Sequence, residues 1–445
     1  MSARSRWLLT IALVGVVLLA AVSWYLSAPG PLSFAGTDTV RLADYKESNP
    51  TGVPGELAQS DVIGRGRYLT VAADCQTCHT AEGGAPFAGG RAFKTGFGTL
   101  YSSNITPDRA TGIGAWSGGD FLRAVHEGVR PDGSHLYPAF PYAAYTYLTD
   151  DDVQAIWAYL RTVPAVKNPT PANALAFPFN QRWLMGLWSA LFNPDRRFAP
   201  NVRHGPEWNR GAYLAEALGH CGDCHTPRNL LQALDNRRKF SGALTGDWQA
   251  YNITSDRTSG VGAWGAEELS QYLMTGHAAS HGTASGPMRE AVDFSLSKLA
   301  PSDIQALVTY VRSVPPITSS EFPAVRTQVA EAGPASRQGS ADALGAQVFA
   351  GACSGCHGWT GRNPLMDRAT LTGARAVNDP TAVNAVQIIL KGSGSGSSGV
   401  GGMPAFGGGY SDAEIAAVAN YVTATFGARA STVTPHAVAQ LRDTL

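Results

Sequence analysis

Charge is scarce in this chain, and cysteine is scarcer. Lys and Arg number 34 and Asp and Glu 34, so charged residues make up only 15% of the 445 and the net charge is zero. That balance gives no reason to expect nucleic acid or an acidic substrate as partner. No glycine-rich flavin or nicotinamide fingerprint follows a predicted strand. The few histidines outside the motifs described next form no Ser/His/Asp or zinc cluster. Methionine is missing altogether between Met1 and Met185. What the chain has in excess is 50 Gly and 27 Pro, a composition of many turns and long loops that could hold something large.

The six cysteines fall entirely into three copies of one motif. They are Cys75-Gln-Thr-Cys78-His79, Cys221-Gly-Asp-Cys224-His225 and Cys353-Ser-Gly-Cys356-His357. Cys-x-x-Cys-His is the spacing of c-type haem attachment. Two thiols add to the haem vinyl groups, and the adjoining histidine becomes an axial ligand of the iron. A zinc ribbon would place its two pairs about 15–20 residues apart, whereas these lie 146 and 132 residues apart. A thioredoxin-like site would need no histidine after each second cysteine. The chain is therefore expected to carry three covalently bound haem c.

Residues 7–26 hold no charge and are long enough for a helix to cross a hydrocarbon core of about 30 Å. Arg4 and Arg6 precede the run, and Trp24 and Tyr25 near its far end suit an interfacial aromatic belt. Residues 1–30 read as a retained membrane anchor. The competing reading is a cleaved signal peptide, for which Ala21-Val22-Ser23 is a poor cleavage site. Either way the haem motifs leave the cytoplasm.

The chain also repeats itself. Tyr101-Ser-Ser-Asn104-Ile-Thr through Gly112-Ile-Gly-Ala-Trp116 recurs as Tyr251-Asn252-Ile-Thr through Gly260-Val-Gly-Ala-Trp264, and the asparagines and tryptophans are each 148 residues apart. A fixed offset implies two copies of one domain. Asn-Ile-Thr matches a glycosylation sequon, but its place inside a repeated loop argues for a structural role. Short helical patterns lead into the motifs (Gly66-Arg-Tyr68, Gly211-Ala-Tyr213, Leu344-Gly-Ala). Each copy closes in a helix, expected over 150–162, 301–314 and 411–426, with Asp or Ser at the start as cap. Tyr159, Tyr310 and Tyr421 near the ends of these helices are placed to pack on the opening helices. The expected fold is mainly α, with three class I cytochrome c domains in tandem behind an N-terminal transmembrane helix. Their bounds are 55–165, 206–316 and 343–427. A connector covers 166–205, a Pro/Ser/Ala-rich linker 317–342 and a polar tail 428–445. The apolar run 183–192 is too short to span a bilayer, so it is either a buried helix or an exposed contact for a partner or a membrane surface.

The sixth iron position separates the three domains. Met403, in Gly401-Gly-Met403-Pro404, precedes the last helix of the third, and Met288, in Gly286-Pro287-Met288, plays the same part in the second. Met274 competes there but sits in a helical apolar pattern that reads as core. The first domain has Phe140 at the matching place in Leu136-Tyr-Pro-Ala-Phe140-Pro-Tyr142. Its sixth ligand is left among His135, His126, Met185 and an open site.

With these residues in view, the chain resembles the membrane-anchored three-haem cytochrome c subunits of bacterial periplasmic dehydrogenases, of the alcohol, gluconate and fructose dehydrogenase type. Phe140 and the connector look more like the sister branch that serves molybdenum hydroxylases acting on nicotinate, isoquinoline or aldehydes. The resemblance implies an electron-transfer subunit that is not itself catalytic. It would pass electrons from a molybdenum, flavin or quinoprotein dehydrogenase subunit toward ubiquinone, at the periplasmic side of the inner membrane. The rival reading is a peroxidase-like haem enzyme using an open first haem. A haem-based sensor is a third, and it lacks a recognisable output domain.

Overall fold

The computed structural model describes residues 3–26, 29–326, 340–393 and 402–443. Most of the expected linker and the Gly/Ser run 394–401 ahead of Met403 lie outside the described residues. Helix α1 (Ala3–Leu26) leaves most of its described apolar side chains exposed, Trp7, Leu13 and Leu19 among them, and it is long and apolar enough to cross a membrane.

The rest of the described chain is built on three crossed helix pairs. In the first unit α2 (Val62–Ala72) leads to the one-turn α3 (Cys75–Cys78). Strands β1 (Ala92–Thr95) and β2 (Gly98–Tyr101) form a hairpin with Ala92 opposite Tyr101. Then come α4 (Gly118–Glu127), α5 (Tyr142–Tyr145) and α6 (Asp150–Leu160), which crosses α2. The connector adds β3 (Ala174–Leu175), paired to β2, and α7 (Leu184–Phe192). The second unit repeats this plan. Helix α8 (Pro206–Tyr213) runs on through a π turn, Leu214–Leu218, into α9 (Gly222–His225). Hairpin β4 (Ala243–Thr245) and β5 (Trp248–Ala250), helix α10 (Ala266–Thr275), the small ladder β6 (His277–Ala278) and β7 (Gly282–Thr283), and helix α11 (Gly286–Phe294) follow. Helix α12 (Pro301–Ser313) closes the unit on α8. The third unit has α13 (Ser340–Val348), α14 (Ser354–His357), α15 (Val383–Lys391) and α16 (Asp412–Phe426). Its final helix, α17 (Pro435–Arg442), lies in the stretch expected to be a polar tail. It packs on α16 with Val438 fully buried and Arg442 2.8 Å from Asp412.

One device makes all three crossings. A Cβ on Gly66 would sit 1.8 Å from the Ala155 carbonyl oxygen, on Gly211 2.0 Å from that of Ala306, and on Gly345 2.3 Å from that of Ala417. Tyr159, Tyr310 and Tyr421 pack against the same three glycines, as the sequence pattern led us to expect. No other residue lets the backbones approach this closely. The capping expectation holds only in part. Ser411 caps α16 in a reciprocal box with Glu414, but the α6 cap is Thr149, one residue before the expected Asp150. Helix α12 begins on Pro301 without a side-chain cap, and a proline there leaves one less amide to satisfy.

The first two units share one contiguous apolar core, while the third has two small clusters of its own. The shared core is flanked by reciprocal hydrogen bonds. Tyr68 on α2 donates to Asp303 on α12 at 2.6 Å, and Tyr213 on α8 donates to Asp152 on α6 at 2.5 Å. Each phenol oxygen also accepts a backbone amide, from Ala300 and Thr149 respectively. The repeated halves thus pair about a pseudo-twofold axis.

Candidate haem sites

Each motif runs through a short helical turn: Cys75–Cys78 forms α3, and Cys221 and Cys353 immediately precede α9 and α14. The histidine that follows is fixed in the same way three times over. Its Nδ1 meets a backbone carbonyl: Ser103 for His79 at 2.7 Å, Tyr251 for His225 at 2.7 Å and Ala369 for His357 at 2.5 Å. A carbonyl only accepts, so Nδ1 carries the proton and Nε2 keeps a free lone pair. Burial lowers the pKa of all three rings, which holds them neutral. A neutral imidazole fixed through its other nitrogen is what an axial iron ligand requires.

The repeated Asn-Ile-Thr loop supplies two of these carbonyls, because Ser103 and Tyr251 immediately precede Asn104 and Asn252. Each asparagine is buried, accepts from the threonine two residues on, and donates to a distant carbonyl, Val166 or Ile317. The loop is a histidine holder, and a buried amide leaves no room for a glycan.

The cysteines form no disulfide. Burial pushes the Cys75 and Cys221 thiols up to about 12, the opposite of the thiolate a redox motif needs. In the third unit a cavity lined by Val348, Cys353, Ile389, Met403, Phe406 and Val418 has Cys353 and Met403 both in its wall. Its lining is apolar apart from these two sulfur-bearing residues and Tyr410. Met288 sits in the first turn of α11, where Gly286 packs on the Trp248 ring.

The pseudo-twofold interleaves the first two sites. Helix α11, which carries Met288, packs on α3 of the first unit, and α5 packs on the π turn before the second motif. Arg91 and Glu290 pair across this contact at 2.8 Å, and the Tyr145 and His220 rings meet edge-on at 5.4 Å.

The first unit's candidates separate in space. Phe140 packs on Tyr145 at 5.5 Å, and the Tyr145 hydroxyl donates to Ala73, two residues before Cys75. His126 is buried with Asp150 3.8 Å away, and burial foremost, then Arg197, lowers it to about 4, so it is neutral. His135 lies under α7, where a Cβ on Gly186 would come within 3.0 Å of its Nε2. Met185 is half-buried on α7. Neither histidine hydrogen-bonds or ion-pairs with the Cys75–Cys78 turn among the described residues. Sequence reading missed one charged pair, in the second unit. Lys239 and Glu216 form a buried pair at 2.6 Å beneath the second motif, with the Tyr310 hydroxyl also on Glu216.

Comparison with known proteins agrees with this geometry. A family model described as cytochrome c matches residues 63–164, and one described as cytochrome c oxidase, cbb3-type, subunit III matches 340–422. The chain is 37% identical over 439 residues to the fructose dehydrogenase cytochrome subunit of Gluconobacter japonicus, covering 93% of this chain and 89% of that one. It is 37% identical over 407 residues to the gluconate 2-dehydrogenase cytochrome c subunit of Pantoea cypripedii, covering 87% and 91%. It is 38% identical over 415 residues to a nicotinate dehydrogenase subunit of Pseudomonas putida, covering 91% of this chain and 34% of that longer protein. Identities this even do not favour one branch over the other. Cytochrome c domains of this kind bind haem c covalently, and the chain belongs to the family of dehydrogenase cytochrome c subunits.

Proposed function

We propose that this chain is a three-haem electron-transfer subunit that accepts electrons from a catalytic dehydrogenase and delivers them to ubiquinone, held at the periplasmic face of the inner membrane by α1. The observation that carries the reading is the thrice-repeated histidine whose Nδ1 is fixed on a backbone carbonyl. Cys75 and Cys78, Cys221 and Cys224, and Cys353 and Cys356 would hold the three groups, with His79, His225 and His357 as axial ligands. Met288 and Met403 would be the sixth ligands of the second and third. For the first, His135 and His126 stay in contention. When bound, haem c supplies a one-electron iron couple.

The chain's own residues decide how that couple is used. The carbonyls of Ser103, Tyr251 and Ala369 orient the imidazoles and enrich their electron density. Val348, Ile389, Phe406 and Val418 exclude water from the third site, and a thioether ligand with a dry pocket favours the reduced state. Cys224 and Cys356 are exposed where Cys221 and Cys353 are half-buried. Trp359, Leu365 and Met366 add exposed apolar surface close in sequence to Cys356, of the kind protein contacts use.

The test is the purified complex with its catalytic subunit. Dehydrogenase substrate should reduce the haems of this chain, and a soluble ubiquinone should reoxidise them. Haems that ignore the quinone but turn over peroxide would favour the peroxidase reading instead.

A further inference from the structure

Among the described residues nothing covers the outer face of the connector helix α7, and its surroundings say what does. No residue of α7 is buried and none is charged. Trp183, Leu187 and Leu191 recur every fourth residue, so they form one stripe, and all three are exposed. The other face is used within the protein. Trp188 meets Tyr142 edge-on at 5.8 Å, and Gly186 lies against His135.

Helix α7 is linked to the outer end of α1 through one loop. The Trp188 indole donates to the Leu231 carbonyl at 2.8 Å, tying α7 to the loop 229–238. That loop grips the anchor. Leu230 donates its amide to the Tyr25 hydroxyl at 2.7 Å, Arg237 stands 4.1 Å over the Trp24 ring, and Asn236 donates to the Pro29 carbonyl at 3.0 Å. Leu230 itself projects at 89% exposure, as does Phe177 ahead of α7 at 78%. If α1 spans the bilayer, Trp24 and Tyr25 sit at headgroup depth. Whatever is bonded to them sits at that depth too.

From this juxtaposition we infer that α7, with Phe177 and Leu230 beside it, lies in the plane of the membrane as a second, monotopic attachment. Its occupant is the outer leaflet of the bilayer. An apolar helix whose exposed face carries aromatic and aliphatic side chains gains by burying that surface at the boundary between headgroups and acyl chains. A single span would leave the periplasmic mass free to pivot. Two attachments fix its tilt and hold the loop 135–142 of the first unit, which packs under α7, against the membrane surface. The inference rests on reading α1 as a retained span.

The test uses the full chain with its catalytic subunit in nanodiscs of phosphatidylethanolamine and phosphatidylglycerol. A benzophenone amino acid replaces Leu187 in one sample and Leu365, exposed in the third unit, in another. Irradiation should give lipid adducts at position 187 and none at 365. An adduct to the catalytic subunit, or no adduct, at 187 overturns the inference. Should the Leu187 substitution fail to fold, Leu191 on the same stripe reads the same surface. Mass spectrometry of the N-terminal peptide from the same discs separates the two claims. A lipid adduct without that peptide keeps α7 at the membrane and removes the anchor, whereas the peptide without an adduct keeps the anchor and removes α7.

Discussion

Asp74 precedes the first attachment cysteine with a left-handed backbone, φ 51°. Burial above all raises its carboxyl to about 6, against the pull of the Thr77 hydroxyl and His220. A carboxylate beside the site favours ferric iron, so protonating it makes reduction easier. The first haem's potential should therefore rise as pH falls through 6, by at most about 59 mV per unit for a one-electron couple. Asp74→Asn should raise the potential and flatten that slope in a redox titration; an unchanged slope would remove Asp74 from the site. The folded state binds this proton more tightly than an unfolded chain at 3.8, so the same protonation also adds stability between those two values. Phe140→Met should raise the first haem's potential by supplying a thioether. If potential and spectrum do not move, the loop does not face the iron. Asn252→Ala should cost about 2–3 kcal/mol in thermal melts, because it strands the buried amide of Thr254 and the carbonyl of Ile317. The Cys-x-x-Cys-His motifs stand out in the sequence because covalent attachment would demand adjacent residues. The carbonyls that orient the histidines were not, since a backbone oxygen leaves no mark of its own. Only the repetition of Asn-Ile-Thr pointed there.

Among the elements, the crossed helices and the reciprocal tyrosines carry most of the specificity. Gly345→Ala would drive a methyl into the Ala417 carbonyl and should cost about 3 kcal/mol. The loss should fall on the third unit, whose core is separate. The two tyrosines should not be equal. Asp303 keeps a two-armed Arg210, at 2.7 Å on each oxygen, when Tyr68 is truncated. Asp152 keeps the Gly52 amide at 2.8 Å but has Arg65 only at 3.8 Å. Tyr213→Phe should therefore lower the melting temperature more than Tyr68→Phe, and the reverse order would mean that the arginines do not set the difference. The sequence announced a duplicated domain through its 148-residue offset. It did not announce that the copies clasp each other, because Tyr68 and Asp303 are 235 residues apart. Helix α7 was visible as an apolar run, but burial and exposure share that composition and only the fold separates them.

At the scale of the whole molecule, two units fused through one core carry a third held by mostly polar contacts. Tyr251 joins them, with its carbonyl on His225 and its hydroxyl 3.0 Å from Asp379 of the third unit. Asn384 pairs twice with the Gln249 backbone, and His277 meets Asp367 at 2.8 Å. Such contacts keep the third unit beside the second without merging their cores. The account stands on three equivalent attachment sites in one polypeptide, and haem stoichiometry tests that directly. The purified mature chain, denatured and acid-extracted to strip loose haem, should show an intact mass equal to the polypeptide plus three haems. A chain that carries two or fewer after full maturation, or that releases haem on extraction, would contradict it.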